Sequence, residues 1–302
     1  MQQITVRVPA STSNLGPGFD CLGIALRIYN TVTMTRGAPS QHVHPPIVSD
    51  AAHRFFKQAR RRAFLFSCSI QENIPRSRGL GSSATIRLGI LIGLNQLTGN
   101  PLDQLTIFRL CAELEGHPDN AAPAIFGGFT VAIGSSRCAD RKRRGISTIG
   151  SDARLAVQRF AVLPRLRFVL FVPELEIRTS AARNVLPSKI SHAAAVENCA
   201  NACALTAAFV SQEYQNLRSA FADHLHQPFR ARLIPFLPRV VAAAEKAGAL
   251  GGFLSGSGST IAAVTLHSSK KIAAAMARAS KTPGHTIITP ADNLGAKILT
   301  SH

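Results

Sequence analysis

The sequence predicts an α+β fold with a buried core, and three observations support this prediction. The chain has 302 residues, of which 46% are hydrophobic, so it can bury the core of one large domain or of two ordinary ones. Segments with strand-like alternation and segments with helix-like apolar runs both occur. The two kinds do not alternate regularly along the chain, which favours α+β over a doubly wound sheet.

The N-terminal half contains four segments that are typical of strands, at 3–8, 22–35, 63–70 and 129–133. An apolar, helix-like run covers 83–98 and ends near Gly99. Asn100 can cap a following helix with Pro101 in its first position, and this helix should end near residue 115. The segment 37–62 is expected to be irregular.

A polar, basic segment at 135–154 predicts a surface connection between two domains, 1–155 and 156–302. In the second domain, strands are expected at 166–172, directly after Gly251-Gly252, and at 285–289. Helices are expected at 192–210, 235–247 and 270–280.

The charge balance is strongly basic, with 34 Lys and Arg against 16 Asp and Glu and a formal net charge of +18. Basic clusters at 60–62 and 141–144 could attract nucleic acid or another polyanion. The alternative is solvated surface, which we favour because the chain has no Trp, only two Tyr and no aromatic residues among the basic runs. We therefore expect no nucleic-acid partner.

The cysteines and the N-terminus predict a cytoplasmic protein. Six cysteines without C-x-x-C spacing are typical of reduced thiols, and for Cys199 and Cys203 core packing is favoured over metal ligation. The N-terminal MQQITVRVPA lacks the features of a secretory signal. No stretch has the unbroken apolar length of a membrane span, so no membrane partner is expected.

The string IPRSRGLGSSATIRLGI at 74–90 places small residues and two hydroxyls at the start of a helix. Such a start has free N–H groups and a partial positive charge, and Gly79 and Gly81 leave room for phosphate oxygens beside Ser82 and Ser83. An ordinary glycine–serine helix entry explains the string equally well. The chain has no Gly-Lys pair for a Walker loop, and QENIPRSR separates GLGSSA from the strand that a dinucleotide fingerprint must follow.

Three of the 16 acidic residues, Glu113, Glu115 and Asp119, lie within seven positions. Acids near the C-terminal end of a helix are disfavoured by its macrodipole, so this cluster indicates that a cation or an amine is held there. An acidic helix end without a ligand is the alternative.

Several motifs jointly carry a resemblance to a known family. PASTSNLGPGFDCLG (9–23), IPRSRGLGSSAT and GGFLSGSGSTIAAV (251–264) resemble the GHMP kinase superfamily, whose ATP loop is P-x-x-x-G-L-G-S-S-A. NLGPGFD, ELEGHPDNAAPAIFGG (113–128), TSAARNVLP (179–187) and LHQPFRARLIP (225–235) are similar to motifs of the homoserine kinase family. The resemblance covers most of the chain from 4 to 265.

The resemblance implies a GHMP kinase fold, with an N-terminal part like ribosomal protein S5 domain 2 and a ferredoxin-like C-terminal part. The activity that it implies is ATP-dependent phosphorylation of L-homoserine to O-phospho-L-homoserine in threonine biosynthesis, with Mg²⁺ as the metal. The implied ATP-binding residues are Pro75, Arg76, Ser77, Arg78, Gly79, Leu80, Gly81, Ser82, Ser83, Ala84 and Thr85.

The resemblance also assigns roles around the substrate. Glu115 with the hydroxyl of Ser83 or Ser82 is the implied metal site, with Glu113 as the fallback, and no strong general base is expected. His117 is interpreted as structural. The implied catalytic residues are Glu115, Asp119 and Asn120, and the implied substrate-binding residues are Asn14, Asp20, Asp119, Arg183, Arg230 and Gly256. Arginines would hold a carboxylate, and aspartates an ammonium.

Two alternatives stay open at this point. Another small alcohol, such as mevalonate or shikimate, could be the substrate, although paired arginines and paired aspartates favour an amino acid. A non-catalytic polyanion or RNA binder on the same scaffold is the alternative from another class, motivated by the net charge of +18. The sequence also leaves a homodimer open.

Overall fold

Two antiparallel sheets organise the chain in this computed structural model, which describes residues 2–37, 44–133 and 156–301. The first sheet has the strand order β10-β1-β2-β4-β5, and β3 also pairs with β2. Its strands are β1 (Gln3–Ser13), β2 (Leu22–Arg36), β3 (Phe66–Gln71), β4 (Phe129–Ile133), β5 (Ala156–Phe160) and β10 (Lys297–Ser301). The four strands expected in the N-terminal half are thus confirmed, although β1 runs on to Ser13, well beyond its predicted end at residue 8.

In the described part of the chain, four helices accompany this sheet. They are α1 (Pro46–Ala59), α2 (Ser82–Leu97), α3 (Gln104–Glu115) and α4 (Ala121–Phe126). Helix α2 lies between β1 and β2 on one side and α1 and α3 on the other, and most of its residues are buried. Because α2 starts directly after the glycine–serine loop, this packing fixes the loop against the end of β1.

The second sheet is a four-stranded ferredoxin-like unit. Its strands are β6 (Arg167–Pro173), β7 (Gly251–Leu254), β8 (Ile261–Thr265) and β9 (Gly284–Pro290), in the order β7-β8-β6-β9. The helices are α5 (Thr179–Asn184), α6 (His192–Ser211), α7 (Gln227–Arg230), α8 (Leu237–Lys246) and α9 (Ser269–Ser280). The order of the elements is the β-α-β-β-α-β order of this fold. Strand β6 is followed by the helices up to α8, then by the hairpin β7–β8, helix α9 and strand β9. The predicted α+β class and ferredoxin-like part are confirmed.

Two local predictions were wrong. Asp103 caps α3 by accepting a 2.7 Å hydrogen bond from Thr106 N, whereas Asn100 has a φ of +56° and lies in the turn after α2. The described part of the segment 37–62 is not irregular throughout, because Pro46–Ala59 forms α1 and buries Phe55 and Phe56. Its apolar residues follow helical spacing, but the prolines before them obscured this pattern.

The predicted domain boundary between 155 and 156 stays a prediction. Strand β5 pairs with β4, and β10 pairs with β1, so two segments from the predicted second domain complete the first sheet. The basic connection at 135–154, with its cluster at 141–144, lies outside the described residues.

Helix α6 differs from the sequence-based expectation. By length and composition it could cross a membrane, and 22% of its most apolar 18-residue window is buried, although one such helix is weak evidence of a span. Cys199 and Cys203 on this helix are exposed, so the predicted core packing was wrong. Among the described residues, no group of three or more His, Cys, Asp or Glu could hold a metal ion.

Candidate active site

A cavity of about 530 Å³ lies where the glycine–serine loop meets the two other glycine-rich motifs. Ser255 Oγ donates a 2.6 Å hydrogen bond to Gly79 O, and Gly256 N donates to Ser13 O over 3.1 Å. Asn14 Nδ2 donates to Gly256 O over 3.0 Å. These contacts join the end of β1, the loop before α2 and the turn at 255–258 into one wall.

The N-terminus of α2 opens into this cavity. Gly81 is the N-cap with a φ of +69°, and a Cβ there would lie 2.2 Å from Ser11 Oγ. Asn30 on β2 fixes the segment that leads into the loop, because its Oδ1 accepts hydrogen bonds from Asn73 N and Ile74 N at 2.9 and 3.0 Å. The first-turn N–H groups of α2 are therefore available to an anion, whereas the hydroxyl of Ser83 donates to Glu115 Oε2.

Most of the predicted ATP loop lines the cavity, from Pro75 through Ser83. Ala84 and Thr85 do not, and both are fully buried. Thr85 Oγ1 donates to Ser82 O over 2.7 Å and accepts from Asn30 Nδ2 over 2.9 Å, so its side chain has a structural role. Their assignment as ATP-binding residues stays a prediction, in which Ala84 would contact a phosphate through its backbone N–H in the first turn of α2.

The absence of a side chain at Gly79 has a different role from the one that the loop pattern predicted, which was to leave room for phosphate oxygens. A Cβ at Gly79 would lie 2.1 Å from Ser255 O. The missing side chain therefore lets the turn at 255–258 approach the loop, and this approach closes one side of the cavity.

A carboxylate and a hydroxyl converge at the α3 end of the cavity. Glu115 Oε2 accepts a 2.8 Å hydrogen bond from Ser83 Oγ, and Glu115 Oε1 is paired with Arg87. Only 7% of the Glu115 side chain is exposed. One carboxylate beside one hydroxyl, open to a space where phosphates fit, is a donor set that suits Mg²⁺. Glu113 instead pairs with Arg54 outside the cavity, so the fallback position does not fit.

Two residues predicted to hold opposite ends of the substrate are paired with each other. Arg183 donates to Asp20 through two bonds, at 2.8 and 3.1 Å. Asn14 Oδ1 accepts from Asp20 N over 3.0 Å and so fixes the acid. The guanidinium carbons of Arg183 and Arg230 lie 5.6 and 5.2 Å from the centre of the Phe19 ring, which is in the range of cation–π contacts.

Arg230 is the most buried charged group of the site, at 2% exposure. Its Nε donates to Ala182 O over 3.0 Å, and its Nη1 donates to Gly256 O over 2.9 Å. Burial, together with the charge of Arg183, lowers the pKa of Arg230 to about 10, so it stays protonated at neutral pH. Its remaining donors can receive a planar anion from the cavity.

His226 positions Arg230. Its Nε2 donates to Gly16 O over 2.9 Å, which leaves Nδ1 as an acceptor 3.3 Å from Arg230 Nη1. Burial lowers the pKa of His226 to about 4 against the opposing charge of Asp223. The imidazole is therefore neutral and adds no second positive charge beside the guanidinium.

Asp119 and Asn120 form the floor of the cavity, with His117 beside them. His117 Nδ1 lies 2.5 Å from Asp119 Oδ1. Burial acts to raise the pKa of Asp119, but the charge and hydrogen bond of His117 outweigh it and the pKa is lowered. Burial acts to lower the pKa of His117, yet the charge of Asp119 leaves it raised. Each group of the pair therefore favours the charged form of the other, and Asp119, with its lowered pKa, is a poor general base.

Asn120 is fixed by two serines of β1. Its Oδ1 accepts from Ser11 Oγ over 2.8 Å, and its Nδ2 donates to Ser13 Oγ over 3.1 Å. This network holds the amide at the cavity edge, next to the loop that carries Gly81.

The structure adds residues that the sequence analysis did not assign. Pro45, Ile47, Ile70 and Ile86 form an apolar wall near Ser83, and two of them belong to the entry of the unpredicted helix α1. The cluster at 60–62 follows α1, is exposed and does not line the cavity. Arg87 could have been noticed because it stands four positions after Ser83 on one helix face.

Comparisons with known proteins agree with this fold and site. Residues 46–128 match the family described as GHMP kinases N terminal domain, and residues 205–282 match GHMP kinases C terminal. The chain is 36% identical to a homoserine kinase of Microchaete diplosiphon, with 99% of this chain and 98% of that one covered. A homoserine kinase of Carboxydothermus hydrogenoformans is 34% identical over 86% of this chain and 84% of its own. The crystal structure of homoserine kinase from Cytophaga hutchinsonii superposes with a TM-score of 0.83 at 26% identity, covering 98% and 97%.

The two-sheet fold, the loop at the start of α2 and these matches define a GHMP kinase, an enzyme that uses ATP. The similarity to the curated relatives extends over nearly the full length of the chain. Within that superfamily, the chain belongs to the homoserine kinase family.

Proposed function

We propose that this kinase transfers the γ-phosphoryl group of ATP to the hydroxyl of L-homoserine, giving O-phospho-L-homoserine for threonine biosynthesis. One observation carries the proposal. A single cavity extends from the N-terminus of α2, where phosphates can bind, to a region lined by two arginines and two aspartates. A phosphate donor and an amino acid can therefore meet in one space.

The Asp20–Arg183 ion pair supports an amino acid over other small alcohols. A zwitterion can replace this pair without changing the net charge, because its ammonium meets Asp20 and its carboxylate meets Arg183. Arg230 adds a second donor for the carboxylate, and Asp119 a second acceptor for the ammonium. A hydroxy acid such as mevalonate has no ammonium and would leave Asp20 without a partner.

The nucleotide end of the site is supported by the loop and the apolar wall. The β- and γ-phosphates would lie against the first turn of α2, and the base against Ile47, Ile70 and Ile86. Ser83 and Glu115 would hold Mg²⁺ there. The ion would neutralise phosphate charge during transfer.

Asp119 is a weak base at neutral pH. The lowered pKa of Asp119 suits it to accept a hydrogen bond from the substrate rather than to remove its proton. Asn120 would orient the hydroxyl. A loose transition state for phosphoryl transfer tolerates a weakly activated nucleophile, so orientation is the main task of these residues.

We further propose a cytoplasmic enzyme whose partners are ATP and L-homoserine, with no nucleic-acid partner. The acids, amides and arginines retained around the cavity support catalysis over polyanion binding alone.

A coupled assay of ADP release tests the proposal. L-Homoserine, mevalonate, shikimate and L-threonine are offered separately with Mg-ATP, and phosphorylated product is identified by mass spectrometry. We expect turnover with L-homoserine to exceed that with the others by at least about 100-fold. Turnover of a non-amino alcohol without turnover of L-homoserine would contradict the proposal, as would salt-dependent RNA binding without any ADP release.

A further inference from the structure

The two carboxylate oxygens of Glu115 face different partners. Oε2 faces the hydroxyl of Ser83 at 2.8 Å, whereas Oε1 is paired with Nη1 of Arg87. Ser83 and Arg87 stand four positions apart and so lie on one face of α2, which α3 and its terminal residue Glu115 meet. The carboxylate thus already has a fixed cation on the side away from Ser83.

Arg87 is partly buried and is held by its ion pair with Glu115. Its side chain is 20% exposed, and its Nε is buried without a hydrogen-bond partner in the part of the chain that the structure describes. A partly buried guanidinium is costly unless a carboxylate neutralises its charge, and Glu115 does so through Nη1 while Nε stays without a partner among the described residues. Glu115, at 7% exposure, has the reciprocal need. The two charges therefore stabilise each other in the absence of any ligand.

We propose that Arg87 is a resident counter-cation that makes divalent-metal binding at Glu115 and Ser83 depend on the nucleotide. This inference rests on the proposed assignment of Glu115 and Ser83 to the metal. Without phosphates, the Glu115–Arg87 pair has no net charge, and a divalent ion arriving beside it meets a fixed positive charge. A triphosphate supplies the missing negative charge, so the metal enters as a complex with the nucleotide.

Electrostatics sets the expected size of the effect. The Arg87 guanidinium is paired with Oε1 of Glu115, so it would lie within several ångströms of a divalent ion bound to Oε2. At the effective dielectric constant of such a site, this repulsion should weaken binding of a free divalent ion by about tenfold or more. Loss of Arg87 also frees the Glu115 side chain to move, which costs binding only a small factor by comparison.

Mn²⁺ binding without nucleotide tests this inference, measured by electron paramagnetic resonance of the free ion. We expect Arg87→Met to bind Mn²⁺ about tenfold more tightly than the wild type, whereas Arg87→Lys, which keeps the charge, stays close to the wild type. Arg87→Gln is a second neutral variant, in case the methionine variant does not fold. In Arg87→Met/Glu115→Gln the gain should disappear.

Addition of a non-hydrolysable ATP analogue gives the second measurement. The factor by which nucleotide tightens Mn²⁺ binding should be smaller in the neutral variants than in the wild type. Equal Mn²⁺ affinity in the wild type and both neutral variants would overturn the inference, as would an equal gain in Arg87→Lys. These titrations need no turnover, so a failure of the L-homoserine assay would be seen separately.

An independent observation concerns the outer face of α6. Its inner face is buried through Asn198, Leu205, Ala208 and Phe209. The opposite face is exposed and apolar, with Val196 and Val210 at 55% and 47% exposure. Along this face, small apolar residues repeat at alternating spacings of three and four, as in a heptad pattern. We call this row of residues the α6 seam: Ala193, Val196, Ala200, Cys203, Ala207 and Val210.

The α6 seam is self-complementary. Its a positions are all alanine, and its d positions are valine, cysteine and valine. In an antiparallel helix pair, a residues pack against d residues of the partner. A two-fold axis between residues 201 and 202 then gives three kinds of layer, each of which combines one alanine with one larger side chain: 193 with 210, 196 with 207, and 200 with 203.

Charge complementarity favours the same arrangement. Lys189 precedes α6 and Glu213 follows it, and both are exposed. An antiparallel pair brings the lysine end of one helix beside the glutamate end of the other, and the two helix dipoles oppose each other favourably. Glu197 is the only Asp, Glu, Lys or Arg within the helix. We infer that a second copy of this chain packs on the α6 seam in antiparallel orientation.

Sedimentation velocity over a range of protein concentrations tests the inference. We expect the wild type to form a dimer that dissociates on dilution, and Val196→Glu to be monomeric. Leu65→Glu is the matched control, because Leu65 is 74% exposed and lies outside α6. A monomeric wild type at every concentration would overturn the inference, and so would dissociation by Leu65→Glu or Val196-dependent flotation of the protein with anionic lipid vesicles.

Disulfide trapping tests the orientation. In a Cys199→Ser/Cys203→Ser background, Val196→Cys/Ala207→Cys should form a disulfide-linked dimer under mild oxidation. Within one helix these positions are 11 residues and about 16 Å apart, so they cannot bond in the monomer. Linkage by Val196→Cys alone would indicate a parallel pair and contradict the antiparallel seam.

Discussion

Gly81→Ala examines the geometric basis of the phosphate-binding helix entry. Gly81 has a φ of +69°, and an alanine forced into the left-handed region costs about 1–2 kcal/mol. Its Cβ would also lie 2.2 Å from Ser11 Oγ, which donates the 2.8 Å hydrogen bond to Asn120 Oδ1. Displacing this buried hydroxyl adds about 1–3 kcal/mol. We therefore expect a total destabilisation of about 2–5 kcal/mol.

Gly99→Ala is the matched control for the backbone contribution. Gly99 has a similar φ of +80°, but a Cβ there would have no heavy atom within 4 Å. Only the conformational cost of about 1–2 kcal/mol should remain, and this glycine lies in the turn at the far end of α2. The difference between the two variants isolates the contact with Ser11 and its consequence for Asn120.

Urea unfolding gives the two free energies, and the ADP-release assay gives KM and kcat. We expect Gly81→Ala to raise the KM for ATP and to lower kcat, because the first turn of α2 and the Asn120 amide both shift. Gly99→Ala should keep both kinetic constants. Equal destabilisation by the two substitutions, together with unchanged kinetics in Gly81→Ala, would refute this account of the loop.

Three further predictions concern charge in the site. Glu115→Ala should lower turnover by about 100-fold or more while far-UV circular dichroism stays unchanged, and near-normal turnover would contradict the metal role. Arg230→Ala should raise the KM for L-homoserine far more than the KM for ATP, and an equal rise in both would count against carboxylate binding. Because burial lowers the pKa of His226 to about 4, the unfolded state binds more protons than the folded state between about pH 6.5 and 4. Stability should therefore fall by about 3 kcal/mol as the pH drops through this window, and His226→Gln should flatten the urea-unfolding profile there; an unchanged profile would refute the neutral imidazole.

Much of the fold could be predicted because it depends on local patterns. The helix at 192–210 and the strand at 129–133 follow from apolar periodicity, and the structure confirms both with an end shift of at most one residue. Helix α1 was missed because its helical pattern is short and follows a proline-rich stretch. The N-cap of α3 was misplaced because Asn100 and Asp103 are both good caps, and only the course of the turn after α2 selects Asp103.

The candidate site, like the fold, could be predicted only in part from the sequence. The motif resemblance predicted the loop and the proposed substrate residues, and it placed the metal ligand at Glu115 with Glu113 as the fallback. Residues two positions apart on a helix point in directions that differ by about 200°. The packing of α3 against α2 therefore directs Glu115 into the cavity and Glu113 towards Arg54. The exclusion of Ala84 and Thr85 from the cavity has the same cause.

The sequence by itself determined the class of fold, the position of the phosphate loop and the residue types around it, since these depend on periodicity and on side-chain chemistry. The tertiary structure alone decided that Asp20 meets Arg183 across 163 residues and that Glu115 is shared by Ser83 and Arg87. Such pairings depend on how two sheets and their helices pack in space. No local pattern of residues encodes that arrangement.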